Sequence, residues 1–288
     1  MGSTFRIGVR SAEDELAAHL QDQAIADALG SLDRLPVVPA VFIDLQRSVA
    51  DAGSKFSDVA EVIERDPALA AKVLQMANSA IFGCPDRIGG IEQAATRLGL
   101  RTLQTLVLTT SIFNSVGSRK LPRSLDMTRL QGLGCLAAGN ARALSPDSQD
   151  AFIAAMLADV GRLALAVAAP DTFEAISASM RPEDAVHQAE QRYLGVSHGE
   201  IGAFLLRQWG LPIPVVEAVA FHHAPEKASR EHHALVAVVH VATSVAEDRP
   251  IDVDALTRMG FGEQARRWHE QLCGPATPKP PRPRRFSD

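Results

Sequence analysis

The chain of 288 residues is 46% hydrophobic and 22% charged, a composition typical of a globular protein with a sizeable core. Its formal net charge of −5 argues against broad binding of nucleic acid. Aromatic residues make up only 5%, and the abundance of Ala and Leu favours helices over sheets. There is no secretory signal and no uninterrupted apolar run of about 20 residues. Because the three cysteines are also widely spaced, we expect a cytoplasmic protein without a membrane span or a disulfide framework.

Helical periodicity is the main pattern in the first part of the chain. It predicts helices at residues 11–32, 40–50, 57–63, 67–76, 91–98 and 103–113. Ser57 is expected to cap the third of these helices and Asp66 the fourth, with Pro67 at its first helical position. Residues 117–123 then indicate a break between two halves of the chain.

Helical patterns continue in the second half. They predict helices at residues 127–144, 148–167, 172–178, 183–193, 199–209, 214–221 and 232–246, with no convincing strand. The final stretch, 274–288, is rich in Pro and Arg, and we expect it to be an extended, disordered tail.

One carboxylate, Asp159, lies inside the otherwise apolar run 154–165. A buried and unpaired carboxylate would cost roughly several kcal/mol, so it either finds a partner or shifts its pKa. Arg162, about one helical turn away, is a candidate partner.

Two groups of motifs follow one another in order along the chain. The first comprises Leu35-Pro36-Val37-Val38-Pro39, Asp66-Pro67-Ala68-Leu69, Ala77-Asn78-Ser79-Ala80 and Ala94-Ala95-Thr96-Arg97-Leu98-Gly99. The second comprises Ser197-His198-Gly199-Glu200, Trp209-Gly210-Leu211-Pro212 and Phe221-His222-His223. Together they closely resemble the HDOD family, the HD-related output domains of bacterial signalling proteins, over about residues 31–248.

This resemblance implies an all-α fold of two packed helical lobes, of which the C-terminal lobe is HD-phosphohydrolase-like. It divides the chain into an N-terminal helical extension (1–30), an HDOD domain (31–248), a C-terminal helical segment (249–273) and the tail (274–288). Within the HDOD domain, lobe one covers about 31–118 and the HD-like lobe about 121–248.

The resemblance also bears on metal binding. HD phosphohydrolases bind their metal through a His, a His-Asp doublet and a later Asp, and the related two-metal diesterases add further histidines. Here the first His has no counterpart in 130–144, the doublet is Ala158-Asp159, and the later Asp is replaced by Thr243. The additional histidines are present as His198 and the pair His222-His223.

Asp159, His198, His222 and His223 therefore form a candidate partial site for one divalent transition metal, Fe, Mn or Zn. The alternative is a buried hydrogen-bond network without a metal. Neighbouring helical residues point about 100° apart, so the two adjacent histidines converge only near a helix end. Ala224-Pro225 suits such an end. We expect His187 to be solvated, whereas His240 either faces the cluster or packs in the core.

The incomplete ligand set makes the leading hypothesis a non-catalytic signalling module that contacts other signalling proteins. One alternative is a metal-dependent phosphohydrolase or cyclic-dinucleotide phosphodiesterase with a reduced, one-metal site. Another is a metal or small-ligand sensor without turnover. The identity of the partner proteins and the oligomeric state stay open at this point.

Overall fold

The computed structural model describes residues 22–30, 32–50, 55–79, 82, 86–117, 119–181 and 184–274. Across these ranges the chain forms helices joined by turns, with no β-strand, so the all-α prediction is confirmed. Residues 1–21, Cys84 and the predicted tail beyond Gly274 lie outside the described residues. The domain boundaries drawn from the sequence stay predictions.

In the part of the chain that the structure describes, six α-helices precede residue 118. They are α1 (Asp22–Leu29), α2 (Ala40–Ala50), α3 (Phe56–Glu64), α4 (Pro67–Ala77), α5 (Ile91–Leu98) and α6 (Leu100–Val116). The predicted cap of α4 is confirmed, because Asp66 Oδ1 accepts the backbone N–H groups of Ala68 at 3.0 Å and Leu69 at 3.1 Å. The predicted Ser57 cap is wrong: α3 begins at Phe56, and the Asp58 carboxylate instead accepts the N–H of Lys55 at 2.8 Å.

Ten α-helices follow among the described residues 119–181 and 184–274. They are α7 (Met127–Leu144), α8 (Gln149–Leu157), α9 (Val160–Ala168), α10 (Pro170–Ser179), α11 (Val186–Leu194), α12 (His198–Gln208), α13 (Ile213–Phe221), α14 (His233–Ala246), α15 (Val253–Arg258) and α16 (Gly262–Cys273). Helix α7 packs on α8 and α14, and α12 packs on α9 and α13. Helix α6 packs on α8 and so connects the helices before residue 118 with those after it. Helix α1, although early in the chain, contacts α9 and α12 of the second half.

The predicted continuous helix over 148–167 is wrong. Helix α8 ends at Leu157 and α9 begins at Val160, and Asp159 in the turn between them has φ −94° and ψ 8°. After the turn, α9 lies very close to α12. This close approach requires glycine at position 161, because a Cβ there would fall 1.9 Å from the carbonyl oxygen of His198. The break therefore places Asp159 beside the first residue of α12.

The segment Gln149–Ala168 is long and apolar enough to cross a membrane, a longer apolar run than the sequence analysis expected. Of the stretch that meets this criterion, 94% is buried inside the fold. Its apolar character is therefore explained by its place in the core, where it contributes to one continuous cluster of buried side chains.

Candidate metal centre

His198 is held in a fixed position at the start of α12. Ser197 caps this helix, and its backbone N–H donates to Glu200 Oε2 at 2.8 Å, which completes a capping box. The imidazole of His198 is 2% exposed. It therefore has a defined orientation in the core rather than a free surface position.

Glu190, on α11, sets the proton arrangement of His198. Its Oε2 lies 2.6 Å from Nδ1 of His198 and also accepts the backbone N–H of His198 at 2.8 Å. Nδ1 is thus the donor to this carboxylate, and Nε2 faces Asp159 Oδ1 at 3.3 Å and His223 Nε2 at 2.9 Å. Burial alone would lower the pKa of His198, but the charge and hydrogen bond of Glu190, with Asp159, raise it above the ordinary value.

His222 and His223 follow the end of α13 at Phe221, so they converge at a helix end as predicted. His222 is fully buried, and its Nδ1 donates to the carbonyl oxygen of Val219 at 2.8 Å. Its Nε2 has no hydrogen-bond partner among the described residues. Burial, with the nearby His198, lowers the pKa of His222 to about 3, so the ring is neutral at pH 7.

We call His198, His222 and His223 the histidine cluster. One ligand nitrogen from each of the three lies within 4.8 Å of the other two, so these three histidines could hold a metal ion. Asp159, in the turn before α9, is not among the residues whose ligand atoms meet within this distance: its Oδ1 lies 3.3 Å from His198 Nε2, and only 8% of its surface is exposed. Its Oδ1 has no hydrogen-bond partner in the described ranges.

Asp159 is not neutralised by the expected ion pair. Burial, together with the nearby Glu247, raises its pKa to about 6, against the lowering effects of His198 and Arg162. Arg162 therefore acts on Asp159 through its charge, but within the described part of the chain its buried Nε has no hydrogen-bond partner.

His187 and His240, the two further histidines near the cluster, have different roles. The expectation of a solvated His187 is wrong, because its half-buried ring stacks on His223 with centroids 3.9 Å apart and planes at 14°. His240 packs rather than joining the cluster: its Nδ1 donates to the carbonyl of His222 at 2.7 Å, and its Nε2 accepts the N–H of Asp252 at 2.9 Å. Both ring nitrogens of His240 are therefore engaged.

Sequence reasoning missed Glu190 and Glu247. Glu190 lies eight residues before His198 on a helix with mostly polar residues, so no local pattern marks it as buried. Glu247 follows Thr243 by one helical turn, a spacing that could have marked it as facing the same side of α14. Thr243 directs its hydroxyl to the carbonyl of Val239 at 2.9 Å.

A cleft of about 910 Å³ leads to the cluster, and Asp159, His198 and His223 form part of its wall. Six acidic residues line it: Asp126, Asp159, Asp184, Glu247, Asp248 and Asp252. Three arginines also line it: Arg129, Arg162 and Arg249. The excess of carboxylates favours a cationic ligand at this place.

The donor atoms fit a single transition-metal ion. Metal-binding histidines usually donate their second ring N–H to a carboxylate or a backbone carbonyl, which directs the other nitrogen to the metal. His198 and His222 already have this arrangement through Glu190 and Val219. Imidazole nitrogens together with a carboxylate oxygen form a ligand set typical of Zn, Fe and Mn.

Comparison with protein families finds that a model of the HDOD domain matches residues 35–225. A curated relative, an uncharacterized protein of Treponema pallidum (strain Nichols), is 29% identical over 245 residues, which are 82% of this chain and 45% of the relative. The chain thus spans about half the length of the curated relative that it matches.

Three solved structures share the fold. An HDOD domain protein with unknown function from Geobacter sulfurreducens has a TM-score of 0.68 at 22% identity, covering 93% of this chain and 91% of that one. A protein of Shewanella amazonensis SB2B, provisionally named a phosphohydrolase, has a TM-score of 0.62 at 24% identity, covering 88% and 97%. A protein of Marinobacter aquaeolei VT8, provisionally named a signal transduction protein, has a TM-score of 0.62 at 18% identity, covering 92% and 66%. At these identities the likeness concerns the fold alone.

Proposed function

The chain belongs to the HDOD family, and from this premise we propose that it is a non-catalytic signal-transduction module acting through contacts with other proteins. We further propose that the histidine cluster and Asp159 bind one divalent transition-metal ion, and that metal occupancy changes those contacts. We place the protein in the cytoplasm, where the thiols of Cys135 and Cys273 stay reduced.

One observation supports the metal proposal: two buried ligand atoms beside His198 have no hydrogen-bond partner in the described residues. They are His222 Nε2 and Asp159 Oδ1. A buried polar atom without a hydrogen bond costs about 1–3 kcal/mol, so each such atom calls for an explanation. A metal ion explains both at once, whereas a closed hydrogen-bond network would have supplied partners.

The number and kind of ligands argue against turnover. Three imidazoles and one carboxylate complete the tetrahedral set of a closed zinc site, while catalytic zinc keeps one position for water or substrate. Ala158 stands where the doublet has its His, and the Thr243 hydroxyl is bonded to its own helix. These two changes leave the chain short of ligands for a second ion, which supports a single, non-hydrolytic centre.

The bound ion would supply a strong, fixed link between three parts of the chain. Asp159 comes from the turn before α9, His198 from the start of α12, and the other two histidines from the end of α13. Holding these parts together would favour one arrangement of the lobe over others, which is how occupancy can act without chemistry.

Helix α11 is the element through which we propose that occupancy reaches a partner protein. Its Glu190 binds His198 and its His187 stacks on His223, so the helix touches the cluster at two points. Tyr193, near the other end of α11, is 55% exposed. A shift at the cluster would therefore move α11 and with it the exposed Tyr193. Aromatic residues of this kind are enriched in protein interfaces.

The test compares metal content and turnover in the same preparation. The purified protein is expected to hold about one transition-metal ion per chain by elemental analysis, and a His222→Gln variant to hold none. Neither protein should hydrolyse nucleotides, phosphate monoesters or cyclic dinucleotides with added Mn or Fe. Metal-dependent turnover that the variant loses would overturn the non-catalytic part of the proposal.

The signalling part needs a separate measurement. A pull-down from the source cell, with the wild type and His222→Gln side by side, is expected to recover a partner whose binding to purified protein depends on metal. A partner that binds both forms equally, with and without metal, would contradict coupling between the site and the contact.

A second candidate function, a one-metal phosphohydrolase, is favoured by one observation in the cleft. Buried N–H groups of Arg162 (Nε) and Arg249 (Nη2) have no partner in the ranges that the structure describes. Guanidinium donors beside a metal suit a phosphate group. The turnover panel above decides between this candidate and the leading proposal.

A further inference from the structure

A second cavity, of about 710 Å³, is lined by residues of helices α4, α6 and α7. Its wall includes Met76 of α4, Phe113 of α6, and Met127, Gln131 and Cys135 of α7. It shares no lining residue with the cleft that leads to the histidine cluster. Because Met76 is only partly buried, a small molecule that enters this cavity can reach its side chain.

The thioether sulfur of Met76 lies between two hydrogen-bond donors from neighbouring helices. The hydroxyl of Thr110 on α6, a residue that is 1% exposed, donates to Sδ at 3.2 Å. The amide Nε2 of Gln131 on α7 lies 3.9 Å from the same sulfur. A thioether is a weak acceptor, so both donors are poorly satisfied while Met76 is in its reduced form.

The separation of Met76 Sδ from Gln131 fits an oxygen atom bonded to the sulfur. An S–O bond of about 1.5 Å and an N–H···O hydrogen bond of about 2.9 Å, meeting at about 120°, together span about 3.9 Å. Gln131 Nε2 lies at this separation. The hydroxyl of Thr110, at 3.2 Å, leaves no room for an oxygen on the line to the sulfur. Thr110 therefore engages one lone pair of the sulfur, and the other is left on the side of Gln131.

We propose that Met76 is a site of reversible oxidation by hydroperoxides, and that Thr110 and Gln131 direct the oxygen to one face of its sulfur. The sulfur attacks one oxygen of hydrogen peroxide, so that an S–O bond forms as the O–O bond breaks. The proton of the transferred oxygen passes to the departing oxygen, which leaves as water. The sulfur is oxidised by two electrons and the peroxide is reduced. The product, methionine sulfoxide, is chiral at sulfur, and we expect a single epimer.

Cys135 also lines this cavity and is the competing target of a peroxide. Burial raises the pKa of its thiol. Since the thiolate is the reactive form of cysteine, a thiol that stays protonated reacts slowly. A peroxide in the cavity therefore meets a poorly reactive thiol and a thioether whose oxidised form has a hydrogen-bond donor at the right distance.

Oxidation of Met76 would strengthen a link between the two halves of the chain. A sulfoxide oxygen accepts hydrogen bonds more strongly than a thioether sulfur, so the bond from Gln131 would tie α4, before residue 118, to α7, after it. Helix α7 also lines the cleft of the metal centre, through Arg129, Leu130 and Leu133. An oxidant-dependent contact on one side of α7 would thus act on a helix that shapes the cleft on its other side.

The test oxidises the full chain with hydrogen peroxide, either folded or in urea, and follows each residue by mass spectrometry after digestion. The peptide that contains Met76 is treated with methionine sulfoxide reductase A or B, each of which reduces one epimer. The folded wild type is expected to give one epimer in about tenfold excess, a preference that one hydrogen bond supports. Protein oxidised in urea should give both epimers about equally. Met127, partly buried in the same cavity, reports that the peroxide has entered.

Gln131→Asn keeps the amide but shortens the side chain by one methylene, so the amide no longer reaches the oxygen and the epimer excess should disappear. Gln75→Asn is the matched control, because Gln75 lines the same cavity from α4 and is exposed; its epimer ratio should equal that of the wild type. Oxidation should also lower the Tm of Gln131→Asn more than that of the wild type, in which the sulfoxide oxygen is bonded.

Several results would overturn the inference. One is an equal mixture of epimers from the folded wild type, a result that needs no variant to fold. Another is oxidation of Met127 or Cys135 that leaves Met76 intact. An unchanged epimer excess in Gln131→Asn would show that the amide does not hold the oxygen. Equal Tm shifts in this variant and the wild type would contradict the proposed link between α4 and α7.

Discussion

Helix α13 contributes to two buried clusters of histidine and carboxylate, and the two differ in how completely their polar atoms are bonded. One is the histidine cluster with Asp159, at the end of the helix. The other, which we call the Glu217 cluster, consists of Glu217, Ser229 and His232. Both lie largely out of solvent and contain similar groups, so residue type alone does not separate them.

The Glu217 cluster is closed. Glu217 is 3% exposed; its Oε2 accepts Ser229 Oγ at 2.8 Å and Nδ1 of His232, and its Oε1 accepts the N–H of Ser229. The neighbouring His233 donates to the carbonyl of Ala228 at 3.0 Å. These bonds fasten the short turns between α13 and α14, which is a structural role.

The histidine cluster has the opposite character, since ligand atoms of His222 and Asp159 lack partners among the described residues. The Glu217 cluster thus has its polar atoms satisfied within the protein, whereas the unsatisfied atoms of the histidine cluster are the ones that we propose bind a metal. Substitutions in the two clusters should therefore affect different properties of the protein.

The largest effect is expected from Glu217→Ala. It should lower the free energy of unfolding by about 3–5 kcal/mol, because His232 and the Ser229 N–H lose their buried partner. Urea denaturation measures this loss, and metal content per folded chain should not change. Glu231→Ala, in the exposed part of the same turn, is the control and should shift stability by less than about 0.5 kcal/mol. Loss of metal with Glu217→Ala would contradict the separation of the two clusters.

The histidine cluster should make the metal-free protein sensitive to acid. The pKa of His222 is about 3 when folded and about 6.5 when unfolded, so the unfolded chain binds more protons between these values. The contribution of neutral His222 to the free energy of unfolding is therefore fully present above about pH 6.5. It is lost as the pH falls, by about 3 kcal/mol on reaching pH 4.5. Urea denaturation at several pH values should give a flatter profile for His222→Gln. If the stability of the two proteins changed equally with pH, protonation of His222 would not be the cause of the loss in acid.

Asp159→Asn should separate stability from binding. The pKa of Asp159 is about 6, above its ordinary value, so the charged form is penalised at pH 7 and the penalty disappears as the pH falls toward 4. The neutral variant should be more stable than the metal-free wild type by about 2–3 kcal/mol at pH 7.

The same variant should lose its response to metal. At a free metal concentration 100 times Kd, the wild type should gain about 2.7 kcal/mol in unfolding free energy, and Asp159→Asn should gain much less. Thermal and urea unfolding with and without Zn²⁺ measure both effects. An equal gain in the variant would exclude Asp159 as a ligand.

The smallest effect concerns the turn beside the cleft. Asp248 has φ 53°, a conformation that glycine adopts without strain, so Asp248→Gly should stabilise the chain by up to about 1 kcal/mol. Gly195→Ala, at φ 77°, is the reverse substitution and should destabilise it by a similar amount. Metal affinity should stay unchanged in both, as measured by calorimetry, and a marked loss in Asp248→Gly would assign a binding role to the Asp248 side chain.

The sequence predicts those features that depend on neighbouring residues. The Asp66 cap and the convergence of His222 and His223 at a helix end follow from local rules, and both are found. The break at Asp159 does not, because it depends on the contact of Gly161 with α12. Glu190 and Glu247 were missed for the same reason: their importance comes from partners brought close by folding.

The most direct test of the metal site is X-ray absorption at the metal edge of the loaded protein, because scattering from imidazole rings counts the histidine ligands. Three imidazoles per ion are predicted for the wild type, with oxygen scatterers from carboxylate completing the shell. A shell of oxygen or water ligands with no imidazole, or one unchanged in His222→Gln, would contradict the account.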